Sequence, residues 1–156
     1  MNKLSLILIL ILLTASCTEE PEKNRLLEAT VNGQIRTFNG VAKKYTDYAA
    51  GIKTGVEYNI FSNDGNSLSI EAYDDSFTLT TFPFPAFSAI YKKEVGGGLS
   101  VTYNAVSGQF RILGNDHGNL RGEFSFKVKN INDPLDSLIL TDGYFDIFLE
   151  ESDRMF

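Results

Sequence analysis

The run Glu123-Phe124-Ser125-Phe126-Lys127-Val128-Lys129 alternates apolar and polar residues at every step. Successive side chains of a strand point to opposite faces, so Phe124, Phe126 and Val128 share one side and Ser125, Lys127 and Lys129 the other. This is the pattern of an antiparallel strand with one face on a core and one in water. Working outward, Leu99, Val101 and Tyr103 alternate with Ser100 and Thr102 in the same way. Phe145, Ile147 and Leu149 alternate with Tyr144, Asp146 and Phe148. Both sides of that last run are largely apolar, which predicts a strand that is central or covered on both faces.

Turn chemistry recurs between such runs. Asn32-Gly33, Asn39-Gly40, Asp64-Gly65-Asn66, Gly96-Gly97-Gly98, Asp116-His117-Gly118-Asn119, Asn132-Asp133-Pro134 and Asp142-Gly143 punctuate the chain. The runs they separate are Glu28 to Val31, Gln34 to Phe38, Val56 to Phe61, Ser67 to Tyr73, Phe77 to Phe82, Leu99 to Asn104, Gln109 to Leu113, Arg121 to Lys129 and Leu138 to Leu149. Asn32-Gly33 is a strong hairpin signal. No window beyond the start of the chain carries a helical stripe. Phe82-Pro83-Phe84-Pro85-Ala86-Phe87 reads as an aromatic-lined crossover, because its prolines disfavour a buried regular strand. Phe82, Phe84 and Phe87 are expected to plug one end of the core. The fold predicted is all-β: an antiparallel meander of about nine or ten strands. A lipocalin-like barrel is the first expectation and a β-sandwich the second.

The first residues have a different character. MNKLSLILILILLTASCTEE opens with Lys3, continues through an apolar run from Leu4 to Leu13, and closes with small residues before Cys17. The run is about ten residues long, whereas a bilayer-spanning helix needs roughly twenty. It reads as a secretion signal over residues 1–16. Leu13-Thr14-Ala15-Ser16-Cys17 resembles a bacterial lipobox, with Thr14 where Leu is commoner. The resemblance implies that the Cys17 thiol becomes a thioether to diacylglycerol and its amine an acyl (palmitate-type) amide. Several chains meet the need for more than one anchoring signal. The competing reading is an ordinary secretory signal cut near Ser16, which leaves Cys17 as an exposed free thiol in an oxidising compartment. Residues 17–25 then form the lipidated cysteine and an acidic tether, and residues 26–156 one all-β domain. Acidic residues directly after the cysteine resemble the surface-export signals of some Gram-negative outer-membrane lipoproteins. The location expected is the outer membrane, lipid-anchored, with cell-surface exposure as one orientation.

Composition agrees with a single domain. Removing 16 of the 156 residues leaves enough chain for one domain and not two. The formal charge of −6 falls by one more when Lys3 leaves with the signal. An acidic chain without a basic cluster argues against a nucleic-acid partner. Cys17 is the only cysteine, so once it is acylated no disulfide can form. The chain has 12 Phe and 7 Tyr but no Trp, which favours strands and a filled interior.

Ala29-Thr30-Val31-Asn32-Gly33, Gly122-Glu123-Phe124-Ser125-Phe126 and Leu140-Thr141-Asp142-Gly143-Tyr144-Phe145-Asp146-Ile147, in that order, resemble a family of small uncharacterised bacterial outer-membrane lipoproteins with one all-β domain. The resemblance implies an envelope location and a β-domain. It carries no catalytic residue.

Candidate chemistry is sparse. His117 beside Asp116 is either a general base or part of a hairpin tip, and no G-x-S-x-G elbow supplies a nucleophile. Zinc needs several His or Cys ligands, and only His117 is left. Calcium would draw on Asp64, Asp74 and Asp75, or on Asp133 and Asp136, without a D-x-D-x-D-G loop. The adjacent pairs Asp74-Asp75 and Glu150-Glu151 point to opposite faces of a strand, which weakens them as hydrolytic dyads. Gly96-Gly97-Gly98 lacks the Lys-Ser/Thr of a phosphate loop. Tyr45, Tyr48, Tyr58, Tyr73, Tyr91, Tyr103 and Tyr144 either form a binding surface or span the core boundary. No catalytic residue, metal site or cofactor is assigned, and the ligand-binding residues are unknown. The expectation is a non-enzymatic binding or interaction module attached to the membrane through Cys17. Its partner would be a small apolar ligand in the interior or an envelope protein. A carboxylate-based envelope hydrolase is the alternative.

Overall fold

The computed structural model describes residues 24–62, 64–74, 81–116 and 118–156. Nine strands follow one another: β1 (Arg25–Val31), β2 (Gln34–Ala49), β3 (Ile52–Ser62), β4 (Ser67–Asp74), β5 (Thr81–Pro83), β6 (Phe87–Gly96), β7 (Leu99–Asp116), β8 (Asn119–Asn130) and β9 (Ser137–Met155). No described residue is helical. All nine strands belong to one sheet, in the order β5-β7-β6-β4-β3-β2-β1-β9-β8. β8 also pairs with β7, so the hydrogen-bonded pairing returns on itself through β6, β4, β3, β2, β1 and β9. The short β5 extends beside β7 at Thr81↔Arg111 to Pro83↔Gln109, beyond the point where β6 ends.

Every neighbour pair is antiparallel except one. Ala42 to Tyr48 of β2 lie parallel to Leu149 to Met155 of β9. The cause is the length of β1. β2 and β9 both flank β1 and run antiparallel to it, hence parallel to each other. Beyond the start of β1 at Arg25, which pairs with Ile147, the two flanking strands meet directly. Arg25, placed in the tether by sequence, is thus already part of the sheet.

The alternation seen in the sequence holds. In β8 the residues Leu120, Gly122, Phe124, Phe126 and Val128 are buried, and the residues between them are not. In β9 the buried set is Leu138, Leu140, then Phe145, Ile147 and Leu149. The switch from even to odd numbers falls at Thr141-Asp142, where two β9 residues oppose one on β8 and Asp142 takes φ 50°. This bulge keeps both halves of β9 facing inward. Asp142-Gly143 is therefore a bulge inside a strand rather than a turn between strands.

Phenylalanine fills the interior. Phe82, Phe110 and Phe145 are fully buried, with ring centroids 5.6 Å apart in both successive pairs. Phe124 and Phe126 stack at 5.2 Å, and Phe126 meets Phe87 at 5.9 Å. Two of these rings lie over glycines of the neighbouring strand, Phe145 over Gly122 and Phe124 over Gly143, while Gly108 lies against the backbone of Ser125 and Phe126. An added Cβ at Gly122 would come within 2.2 Å of the Phe145 ring and 2.3 Å of the Arg111 carbonyl. Of the three aromatics expected at the crossover, Phe82 and Phe87 enter the core, while Phe84 stays 40% exposed and packs edge-on to Phe87.

Four local expectations are corrected. Asn39-Gly40 is no turn, because β2 runs through it. Gly40 faces inward, where a Cβ would come 2.5 Å from Ile147 Cδ1. Leu99 to Asn104 and Gln109 to Leu113 are one strand, bent by a bulge at Ala105/Ser107 and by Gly108 at φ 133°. The second half of β2 was missed, and with it the Ala50-Gly51 hairpin turn, whose Ala50 takes φ 50°. All of β6 was missed too. Its Phe87, Ala89 and Tyr91 alternate inward, but the charged Lys92-Lys93-Glu94 stretch masked the pattern. The strand runs expected at Phe77 to Phe82 lie partly outside the described residues.

Candidate functional site

Antiparallel order sorts the turns onto two ends. The near end holds Asn24, the first described residue, with the Ala50-Gly51 turn, Gly118 and the C-terminus. The far end holds the Asn32-Gly33 turn, the segment 64–66, the Gly97-Gly98 tip and the loop from Ile131 to Asp136.

The near end is closed by ion pairs. Arg154 of β9 donates Nε to Asp47 Oδ1 at 2.7 Å and Nη2 to Asp47 Oδ2 at 3.2 Å. The same guanidinium donates to Glu57 and sits 4.5 Å from the Tyr45 ring centre. Asp47 is only 8% exposed. A bidentate Arg–carboxylate fork is the strong form of such a pair. The hydrogen bonds to Asp47 and Glu57 raise the Arg154 pKa further above its already high range. Lys43 meets Glu150 at 3.8 Å and Lys44 meets Glu151 at 3.3 Å.

The far end is built differently. The inward face of β2 continues past Phe38 to Arg36 and Gln34, and that of β6 continues past Tyr91 to Lys93. A cleft of about 490 Å³ opens there. Its floor is Tyr91, Val31 and Leu138, all nearly buried. Its rim is Asn32, Gln34, Arg36, Asn66, Lys93 and Glu94. Tyr91 packs between Phe38 at 6.5 Å and Tyr103 at 6.2 Å. Burial pushes the Tyr91 hydroxyl up in pKa, and the nearby Arg36 charge pulls it partway back. Tyr103 donates to Asp136 at 2.8 Å, and its pKa is pushed up to about 12 by burial first and by Asp136 second. Asp136 also accepts from Asn130 at 3.0 Å, and these two hydrogen bonds hold its carboxyl below the usual range. The loop from Ile131 to Asp136 is thereby tied to β7 and β8. Exposed apolar side chains stand around this end, among them Ile35, Val95, Leu99 and Leu135.

A second cleft, about 380 Å³, lies on the outer side of β7, β8 and β9. By register Glu123 faces Arg111 on one side and Tyr144 on the other, and Asp142 adds a second carboxylate to the lining.

The residues singled out from sequence are scattered. Cys17, Asp75 and His117 lie outside the described residues. Asp116 ends β7. Asp64 accepts from the Asn39 amide at 2.7 Å, and Asp133 caps the Leu135 amide at 3.1 Å. Asp74 is 3% exposed at the end of β4. Among the described residues no three His, Cys, Asp or Glu side chains gather around a metal-sized space. Glu150 and Glu151 each face their own lysine. Gly96, Gly97 and Gly98 all take positive φ at a hairpin tip. The tyrosines divide: Tyr45 lies under Arg154, Tyr73 over Gly55, Tyr58 against Phe82 and Tyr144 on the outer cleft. Only Tyr91 and Tyr103 meet. Sequence reading overlooked Arg36 and Lys93 as site residues. The available signal was parity: each lies two residues from a buried aromatic on the same face of its strand.

Comparison with known proteins gives no matching family model, no matching curated protein and no matching solved structure.

Proposed function

We propose that the protein is a cell-envelope lipoprotein, held at the outer membrane by acyl chains on Cys17, whose β-domain is a non-enzymatic binding module working from its far end. The family resemblance drawn from the sequence belongs to the same proposal. One observation carries the reading: the interior is filled by side chains, while a polar cleft opens at the end opposite Asn24, where β1 begins. A tether leaving Asn24 would place the membrane on the near-end side. The ligand then belongs at the rim rather than inside, which replaces the interior apolar ligand in this reading. The hydrolase alternative draws less support, because Glu150 and Glu151 pair with lysines.

Fractionation tests the anchor. Cys17→Ser should move the protein from the detergent-extracted membrane fraction to the soluble envelope fraction. Retention in the membrane would overturn the lipoprotein reading. Protease added to intact cells should remove the domain if it faces outward. Cleavage only after lysis would place it in the periplasm.

A further inference from the structure

We propose that the far-end cleft binds a small anion, a carboxylate or phosphate group, between Arg36, Lys93 and the Tyr91 hydroxyl. The proposal deepens the binding-module reading and rests on it.

The argument is a count of donors and acceptors. Asn32 Oδ1 accepts from the Ile139 amide at 3.1 Å. Asn66 Oδ1 accepts from the Glu94 amide at 3.0 Å. A backbone N–H can only donate, so in both side chains the oxygen is turned to the protein and the NH₂ is left over. Gln34 Oε1 accepts from Arg36 Nη2 at 3.1 Å, which leaves its NH₂ over as well. All three amides of the rim thus have their acceptors engaged, and their donors have no partner among the described residues.

Charge points the same way. Arg36 keeps most of its five N–H donors after the contact with Gln34. Lys93 makes no close ion pair among the described residues, although its charge reaches Asp136 and helps hold that carboxyl's pKa down. Glu94 is the one carboxylate of the rim. It falls on the opposite face of β6 from Lys93 and lies against Gly65.

Tyr91 supplies the independent observation. It is 2% exposed and floors the cleft, and its hydroxyl opens into the cleft instead of being sealed in the core. A tyrosine hydroxyl facing a cleft has an O–H to donate to an acceptor. Tyr103, its neighbour, has Asp136 in that role. The unused groups of the cleft are therefore two cations, three amide NH₂ groups and one hydroxyl. An acceptor-rich anion complements that set, whereas a cationic ligand would meet Glu94 alone. A planar guanidinium on one wall and a point charge on the other suit an oxyanion in particular.

The test uses the mature acylated protein, beginning at Cys17, in non-ionic detergent. Inorganic phosphate and succinate are titrated separately by calorimetry, with glucose as a neutral control and intrinsic tyrosine fluorescence as a second readout. Saturable binding of at least one anion, and none of glucose, is expected. Arg36→Gln and Lys93→Gln should each weaken it about tenfold, as loss of a charge-assisted hydrogen bond would. Tyr91→Phe should weaken it several-fold. Thermal unfolding of the free variants reports whether each still folds. Phosphate without succinate would assign a phosphate site, and the reverse a carboxylate site. Absence of saturable binding by either anion would overturn the proposal, as would binding that both charge variants leave unchanged. Neither result touches the anchor, which the Cys17→Ser fractionation reads separately.

Discussion

The two ends of the closed sheet carry similar residues in opposite states. At the near end Arg154 is matched with Asp47 and Glu57, and Lys43 and Lys44 with Glu150 and Glu151. At the far end Arg36 and Lys93 line a cleft without a close ion pair among the described residues, and three amide groups stand beside them. The first arrangement fastens the tail of β9 to β2 and β3, so its chemistry is used up in holding the chain. The second leaves its chemistry available. A charged cluster is thus read by its remaining capacity rather than by its composition.

The largest effect should come from the core that both ends share. Phe110→Ala removes a fully buried ring that touches both Phe82 and Phe145. A loss of about 3–5 kcal/mol is expected in denaturant unfolding. A loss that left one end protected from hydrogen exchange would show that the ends do not share one cooperative core.

A smaller effect should separate the ends. Asp47→Ala leaves Arg154 with Glu57 alone in a partly buried site, and the Arg154 side chain is 34% exposed. Allowing for solvent screening, about 1–2 kcal/mol should be lost. Arg36→Gln at the far end should change stability by no more than about 0.5 kcal/mol. Equal losses at both positions, measured by chemical denaturation, would erase the contrast drawn above.

The smallest effect is a pH dependence at the far end. The folded pKa of Asp136 lies below its unfolded value, because Asn130 and Tyr103 donate to the carboxylate. Its stabilisation is present above the ordinary carboxylate pKa of about 4 and is lost as pH falls through the lower folded value. Tyr103 behaves in the opposite sense. Its folded pKa of about 12 exceeds the ordinary value, so its contribution is intact below about pH 10 and is lost as pH climbs from there toward 12. The thermal midpoint of the unaltered protein should therefore fall more steeply than that of Asp136→Asn on acidification. It should also fall more steeply than that of Tyr103→Phe at high pH. Parallel curves would show that the Tyr103–Asp136 contact does not hold the loop.

The legible part of the fold was the part with local consistency. β8 could be read from Glu123 to Lys129 because every inward residue is apolar and every outward one polar. The Asn32-Gly33 turn could be read because both residues accept positive φ, and they take 48° and 80°. β6 escaped because its inward face changes chemistry partway, from Tyr91 to Lys93. That change is the candidate site itself, so the irregularity that hid the strand also marks the cleft. Ala50-Gly51 escaped because alanine carries no turn signal, and the pairing of β2 with β3 imposes positive φ on it.

By itself, then, the sequence determined the strand class, the inward and outward faces, several turns and the aromatic filling. Each of these follows from residue type and spacing along the chain. Tertiary structure alone decided that β8 returns to β7 and that β9 runs parallel to β2 beyond Arg25. It decided that Gly40, Gly122 and Gly143 are places for a neighbour's side chain rather than turns. It also decided which charges are matched. Arg154 and Asp47 are 107 positions apart, and Arg36 and Lys93 come together only when β2 and β6 share one end of a closed sheet. Partnership in space is set by strand order and register, and neither is written in any local stretch of residues.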